Sequence, residues 1–197
     1  MQAHYDEALR VNRGVVELAR SVGSRRYEVV ASTQLAHTLR MLGRRAEALA
    51  VVERAWQIVE DIGAHGFAGP MVLAEWAASS ERPDERESLL ARGHALLERG
   101  ALAHTHLWFL AEAIVLRLDE GRPDDAERLA DELQRWSMAG SVVWAEHHVQ
   151  AGRALAQWSR GDRSAELRQR IARLHARAGE LAYGEIQARL GAALAAA

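Results

Sequence analysis

Apolar residues along this chain recur at intervals of three and four, interrupted at regular distances by short polar stops. Leu35, Leu39 and Leu42 form one such run; Leu49, Val52, Trp56 and Val59 another. Leu107, Leu110, Ile114 and Leu118 form a third, and Leu129, Leu133 and Trp136 a fourth. That spacing keeps one face of an α-helix apolar, and no stretch of strict alternation competes with it, so the pattern predicts helices and no strands. The expected helices cover residues 3–22, 25–42, 45–62, 68–79, 84–99, 103–119, 123–138, 142–159, 163–178 and 181–195. Pro70, Pro83 and Pro123 each fall where such a run stops or starts, and read as first-turn prolines, whose missing N–H costs nothing there.

The stops repeat. The phrase SERPDERESLLARG is followed forty residues later by EGRPDDAERLADEL. Equivalent breaks fall at Gly43, Glu81, Gly121 and Gly161, steps of 38, 40 and 40 residues. A period of this size marks an array of helical pairs, each a first helix (A) and a second (B) joined at the break. One pair cannot bury its own apolar face, so neighbours must stack. The expected fold is all-α, a right-handed α-solenoid of about ten antiparallel helices, in one domain over residues 1–197. HYDEALR near the start matches the opening of a B helix, as RRAEALA does later. The array is therefore expected to start within a repeat of a longer chain. An apolar stripe of Leu9, Val16 and Leu18 would then be partly uncovered, a route to homo-oligomers.

At these residues the chain resembles tetratricopeptide repeats, which place small residues where the two helices come closest and a glycine at the turn. Leu35, Ala36 and Leu39, then Ala48, Val52 and Ala55, fit that pattern around Gly43; Ala74, Ala126 and Ala154 keep it in later units, while Ile114, Arg86 and Glu166 depart from it. The 38–40-residue period also exceeds the usual one. Residues 90–195, with the phrase LERGALAHTHLWFLAEAIVLRLDEGRPDDAERLADEL and the run AGRALAQW, resemble the C-terminal tails of large bacterial signalling proteins. Class III adenylate or guanylate cyclase-type proteins with a P-loop ATPase, and LuxR-type regulators, carry such tails. The resemblance implies a non-catalytic interaction or regulatory segment whose partner is a protein, a peptide or another domain of the parent chain. A peptide or small-ligand sensor is the alternative. The family's groove phase, carried across from the turn markers, places Thr33, His37, Arg40, Met71, Glu75, Trp108, Ala111 and His148 on a ligand-facing surface.

Composition narrows the field further. The formal net charge is −2 with charges of both signs interspersed, which offers no footprint for nucleic acid or an anionic membrane. There is no cysteine, so thiolate metal cages and disulfides are excluded and a cytoplasmic home is the simplest expectation. No GxxxxGK[ST] phosphate loop occurs, and no cofactor is expected. The most enzyme-like feature is the set His104, His106, His147 and His148, which with Glu112 or Glu146 would make a zinc-dependent enzyme. Residues two apart on a helix diverge by about 200° and adjacent ones by about 100°. Neither spacing is the i, i+4 arrangement that puts two imidazoles on one face, so packing histidines, no metal and no catalytic residue are expected. Asp84-Glu85 and Asp124-Asp125 read as first-turn charges meeting the positive end of a helix. Arg25-Arg26 and Arg44-Arg45 read as solvated turn charges. Trp56 and Trp136 continue apolar stripes and are expected in the core, with Trp108 and Trp158 nearer the groove.

Overall fold

The computed structural model describes residues 2–137 and 142–196. They form ten helices and no strand: α1 Gln2–Ser21, α2 Arg25–Met41, α3 Arg45–Asp61, α4 His65–Ser79, α5 Pro83–Glu98, α6 Ala103–Asp119, α7 Pro123–Ser137, α8 Val143–Ser159, α9 Ala165–Glu180 and α10 Gly184–Ala195. The expected all-α repeat fold is therefore present. The expected helix limit at residue 138 lies outside the described residues. Two compact units are formed, Met1–Phe109 and Leu110–Ala197. Within each, sequential helices pack on one another, and α2 also touches α4 as α8 touches α10, the pattern of stacked helical pairs.

The turns explain the regularity. Gly23, Gly43, Gly63, Gly100, Gly121 and Gly161 all have positive φ at helix ends. After Leu39 closes the last turn of α2, for example, Gly43 N donates to Arg40 O (2.9 Å) and Arg44 N to Leu39 O (2.8 Å). This pair of bonds satisfies carbonyls that the helix leaves open and turns the chain back sharply, and only glycine adopts the required left-handed backbone without strain. The two-bond motif recurs at Gly23, Gly63, Gly121 and Gly161, so it serves turns within pairs and turns between them, whereas α4 ends on an extended Ser80 without a left-handed residue. Between α9 and α10 its place is taken by Ala182, at φ 57°, with Tyr183 N donating to Ala178 O at 2.9 Å.

Helix starts deviate where local chemistry overrides periodicity. Ser164 caps α9, its hydroxyl accepting from Leu167 N at 3.3 Å, so the helix begins two residues later than the apolar pattern suggests. Pro83 and Pro123 open α5 and α7 as expected. Pro70 does not open a helix: α4 begins at His65 and runs through it. A proline there strips the carbonyl of Gly66 of its helical donor. The backbone N–H of Leu102, from the α5–α6 connection, donates to that carbonyl at 2.9 Å. The two segments come into ordinary contact there, a Cβ at Gly66 lying 3.8 Å from the Ala101 Cα.

In the first unit α4 is buried almost all round, from Ala68 to Ser79 with only Trp76 partly exposed, and α2, α3 and α5 pack about it. Gly93 of α5 faces the fully buried Phe109 so closely that a methyl would overlap the ring. In the second unit Val115, Leu155, Trp158, Ile171, Ile186 and Leu190 are among the core residues. There Gly152 of α8 seats Ile114, whose Cγ2 would lie 2.8 Å from an added Cβ. Close approach is thus set by glycines inside helices as well as by the buried small residues Ala74 and Ala154.

Three expectations are corrected. Trp56 is core at 8% exposure, but Trp136 is 44% exposed, because the buried stripe of α7 runs Ala126, Leu129, Ala130, Leu133 and then Ser137. Trp158 is buried, with the Arg163 guanidinium 3.8 Å from its ring centroid. Leu9 and Val16 are buried, so of the expected open stripe on α1 only Leu18 faces solvent; the exposed apolar positions are Val11, Val15, Leu18 and Val22.

The turn geometry generates a test. Ala182 holds a left-handed backbone at a position where glycine serves elsewhere, a strain of about 1–2 kcal/mol partly offset by the greater freedom that glycine brings to the unfolded chain. Ala182→Gly is expected to stabilise the protein by about 1 kcal/mol, raising the melting temperature by about 2–4 °C. A thermal melt showing no rise would mean that the turn relaxes without it.

Candidate functional site

Glu75 is the one charged side chain on the otherwise apolar α4, and it is completely buried. A lone carboxylate in such surroundings is untenable, since desolvating the charge costs several kcal/mol. Its partners come from α2, the neighbouring A helix. Arg40 is placed on the inner face by the same i, i+4 spacing that places Ala36, and its guanidinium grips both carboxylate oxygens. Nε lies 2.9 Å from Oε1 and Nη2 lies 3.2 Å from Oε2. Ser79, one turn on from Glu75, donates to Oε1 at 3.1 Å. His37 Nδ1 lies 3.4 Å from Glu75 Oε2 and 3.0 Å from Arg40 Nη2. The neutral ring with a bare Nδ1 accepts from Arg40, and the protonated ring donates to Glu75. The indole of Trp108 meets the His37 ring edge-on, with centroids 6.4 Å apart.

Electrostatics favours the charged form. Burial pushes the Glu75 carboxyl upward, but the Arg40 charge and the hydrogen bonds from His37 and Arg40 outweigh it, so the group sits below the usual carboxylate range. A buried carboxylate whose charged form is favoured, with both oxygens held by Arg40, has no oxygen turned toward an outside molecule. Its chemistry is that of a clamp between two helices.

The residues assigned to the groove phase are thus partly assembled. Thr33, His37, Arg40, Met71, Glu75 and Trp108 belong to the first unit, and His37, Arg40 and Glu75 meet directly. Thr33 is fully buried with its hydroxyl returned to Val29 O at 2.9 Å, and Met71 is buried. Ala111 and His148 belong to the second unit; Ala111 is buried among its neighbours. Ser79 was missed by sequence reasoning, although a serine one turn from a buried glutamate on the same helix is a readable signal.

His148 takes part in a different cluster. Its Nδ1–H donates to the Trp144 carbonyl at 2.8 Å, and its ring lies 4.4 Å from that of Trp144 and 5.9 Å from that of Tyr183. Burial pushes its imidazole down to about 4, and the Trp144 carbonyl and Glu185, which act the other way, do not compensate. His147, buried and 5.6 Å from Tyr183, is also lowered by burial and then by the Arg177 charge. His104 and His106 lie on the first unit's part of α6, where His104 is exposed against Phe67 and His106 is buried.

The acidic first-turn pairs are ion-paired as well. Asp125 is held low by hydrogen bonding from Arg128, against burial, with further help from Arg122, while Asp124 receives Arg160 at 2.6 Å. Asp84 is held low chiefly by Arg82.

Two outcomes are expected. Glu75→Ala strands the Arg40 guanidinium, whose side chain is only 8% exposed, and should cost about 3–5 kcal/mol in a urea titration. The double replacement of Glu75 and Arg40 by methionine should cost clearly less than the single change. For His148 the folded value lies below the ordinary 6.5, so the unfolded chain takes up the proton first as pH falls. Stability present above pH 6.5 is then lost down to about 4, by about 3 kcal/mol, and His148→Phe should flatten the urea midpoint across that window.

No family model matches the chain, and no curated protein matches it, so the functional reading rests on the residues themselves.

Proposed function

We propose that the chain is a non-catalytic helical-repeat segment that serves protein interaction or regulation in a bacterial signalling or transcription regulator. The observation that carries this reading is the closure of the Arg40–Glu75 cluster: its best acid–base group is fully buried and already bound by Arg40, Ser79 and His37. Charged groups elsewhere join helix to helix in the same manner, as Arg160 joins Asp124 and Glu127, and Arg153 joins Asp131. Stacked pairs held this way make a rigid scaffold whose exposed faces are free for recognition. The parent context, a cyclase-type or LuxR-type protein with a P-loop ATPase, is inferred from the resemblance of residues 90–195. Among the described residues no helix is long and apolar enough to cross a membrane. A cytoplasmic home is part of the same proposal.

The sensor alternative has one feature in its favour. A recess of about 380 Å³ opens between α1, α2 and α3, with Val16 and Leu35 in its floor and Arg13, Arg20 and Arg54 at its edge. Glu17 also lines it and Arg20 is paired with Glu28, so Arg13 and Arg54 are the cations it would offer the anionic group of a ligand with an apolar body.

Activity and binding assays separate the readings. The protein is expected to show no turnover of ester, phosphoester or peptide substrates, with or without added zinc, and no calorimetric signal with zinc alone. Turnover lost in Glu75→Gln, with the helical spectrum unchanged, would overturn the non-catalytic reading. Saturable binding of a small carboxylate, lost in Arg13→Glu and Arg54→Glu, would establish the sensor instead.

A further inference from the structure

Ser32 of α2 is buried, only 3% exposed, yet its hydroxyl bonds to nothing among the described residues. Its neighbours on the same helix behave differently. Thr33 returns its hydroxyl to the Val29 carbonyl at 2.9 Å, and Thr38 returns its own to the Gln34 carbonyl at 3.0 Å. Ser32 lines the recess of about 380 Å³ between α1, α2 and α3, so its donor and acceptor capacity is open to whatever enters there.

Three charged side chains of the recess are open in the same sense. Arg13 of α1 and Arg54 of α3 have no carboxylate partner among the described residues, Arg54 donating only to Gln57 at 3.2 Å, and Glu17 of α1 has no cationic one. Arg20, the remaining cation, is held by Glu28 at 2.7 Å. Arg13 lies ten residues before the left-handed Gly23 and Arg54 nine before the left-handed Gly63. On two equivalent helices they therefore stand at nearly the same height on opposite walls. Glu17 stands one turn, about 5.4 Å, further along the α1 wall. It forms no ion pair with Arg13, and arginine four residues ahead of glutamate is the weaker order for a helical pair.

We infer that this recess binds a free α-amino acid with an aliphatic side chain. Two arginines on facing walls fit a carboxylate, one oxygen to each. An α-amino acid carries its ammonium group on the carbon next to the carboxylate, and a glutamate one turn from an arginine presents the opposite charges at that spacing. The Ser32 hydroxyl accepts from the ammonium group or donates to the carboxylate, while the aliphatic side chain covers Val16 and Leu35. A simple carboxylate would leave Glu17 unmatched, and an amine would leave both arginines so. The volume lies at the small end of the usual ligand-pocket range, about 300–1,000 Å³.

The inference rests on the sensor reading of this recess and leaves the non-catalytic reading, which turnover assays test, untouched. Calorimetric titration of the 197-residue chain with leucine, isoleucine and valine is expected to show saturable binding of at least one at a single site. The analogue of the best binder that lacks the amino group, and its carboxamide, should each bind about tenfold more weakly or worse. Glu17→Gln should weaken the amino acid about tenfold and leave the deaminated analogue unchanged, whereas Arg54→Gln should weaken both, with the thermal melt unchanged because both positions are exposed. Ser32→Ala should weaken the amino acid several-fold. No binding by any of the three amino acids would overturn the proposal, as would binding indifferent to Arg13→Gln and Arg54→Gln. A deaminated analogue that binds as tightly as the amino acid, with Glu17→Gln silent, would overturn the amino-acid assignment and leave the sensor reading standing.

Discussion

Everything in this molecule depends on reversing the chain after each helix of about four to five turns. At Gly23, Gly43, Gly63, Gly121, Gly161 and Ala182 the reversal is made by one backbone arrangement, a left-handed residue that returns two N–H groups to the carbonyls of the last helical turn, whereas the chain leaves α4 through an extended Ser80. Because the left-handed arrangement serves both within pairs and between them, α2 to α9 are all 15 to 17 residues long, and sequence neighbours such as α2 and α3, or α7 and α8, pack on one another. The apolar stripes then need only face the correct way for the units to form. Hydrophobic burial supplies the driving force, but the turn decides which stripes can meet.

Against that background the Arg40–Glu75 pair does a second job. An array of amphipathic helices with Ala, Leu and Val stripes has many near-equivalent ways to slide one helix along another. A bidentate ion pair in an otherwise apolar layer tolerates no slide, because a shift of one turn would leave two buried charges apart. Buried ionic groups add little net stability over well-packed apolar ones but can specify register, and the partners of Glu75 come from both its own helix and the preceding A helix, α2.

Much of the fold was legible in the sequence, since helix number, order and most limits follow from a period of 3.6 interrupted at regular stops. The failures have local causes. Pro70 reads as a helix start because the donor that rescues Gly66 lies far along the chain. Trp136 sits three residues from Leu133, yet the stripe of α7 bends toward Ser137. On α1 two apolar stripes lie side by side, and spacing alone does not say which one is buried. The groove assignment found residues that do meet, His37, Arg40 and Glu75, but residue type and phase cannot reveal that they satisfy one another. Gly93 and Gly152 were readable as glycines inside unbroken helical patterns, a signal of close approach that the turn glycines overshadowed.

The bond from Leu102 to Gly66 spans more of the chain than most. Most pairings in this chain join elements adjacent in sequence, which is the topology of rapid, local assembly. The Gly66 carbonyl, left open by Pro70, must instead wait for a group that arrives thirty-six residues later, after α4 and α5 have both formed. Until then water serves that carbonyl, since Gly66 is exposed, and the α5–α6 connection has nothing to dock on. That one proline thus ties the start of α4 to the segment that follows α5.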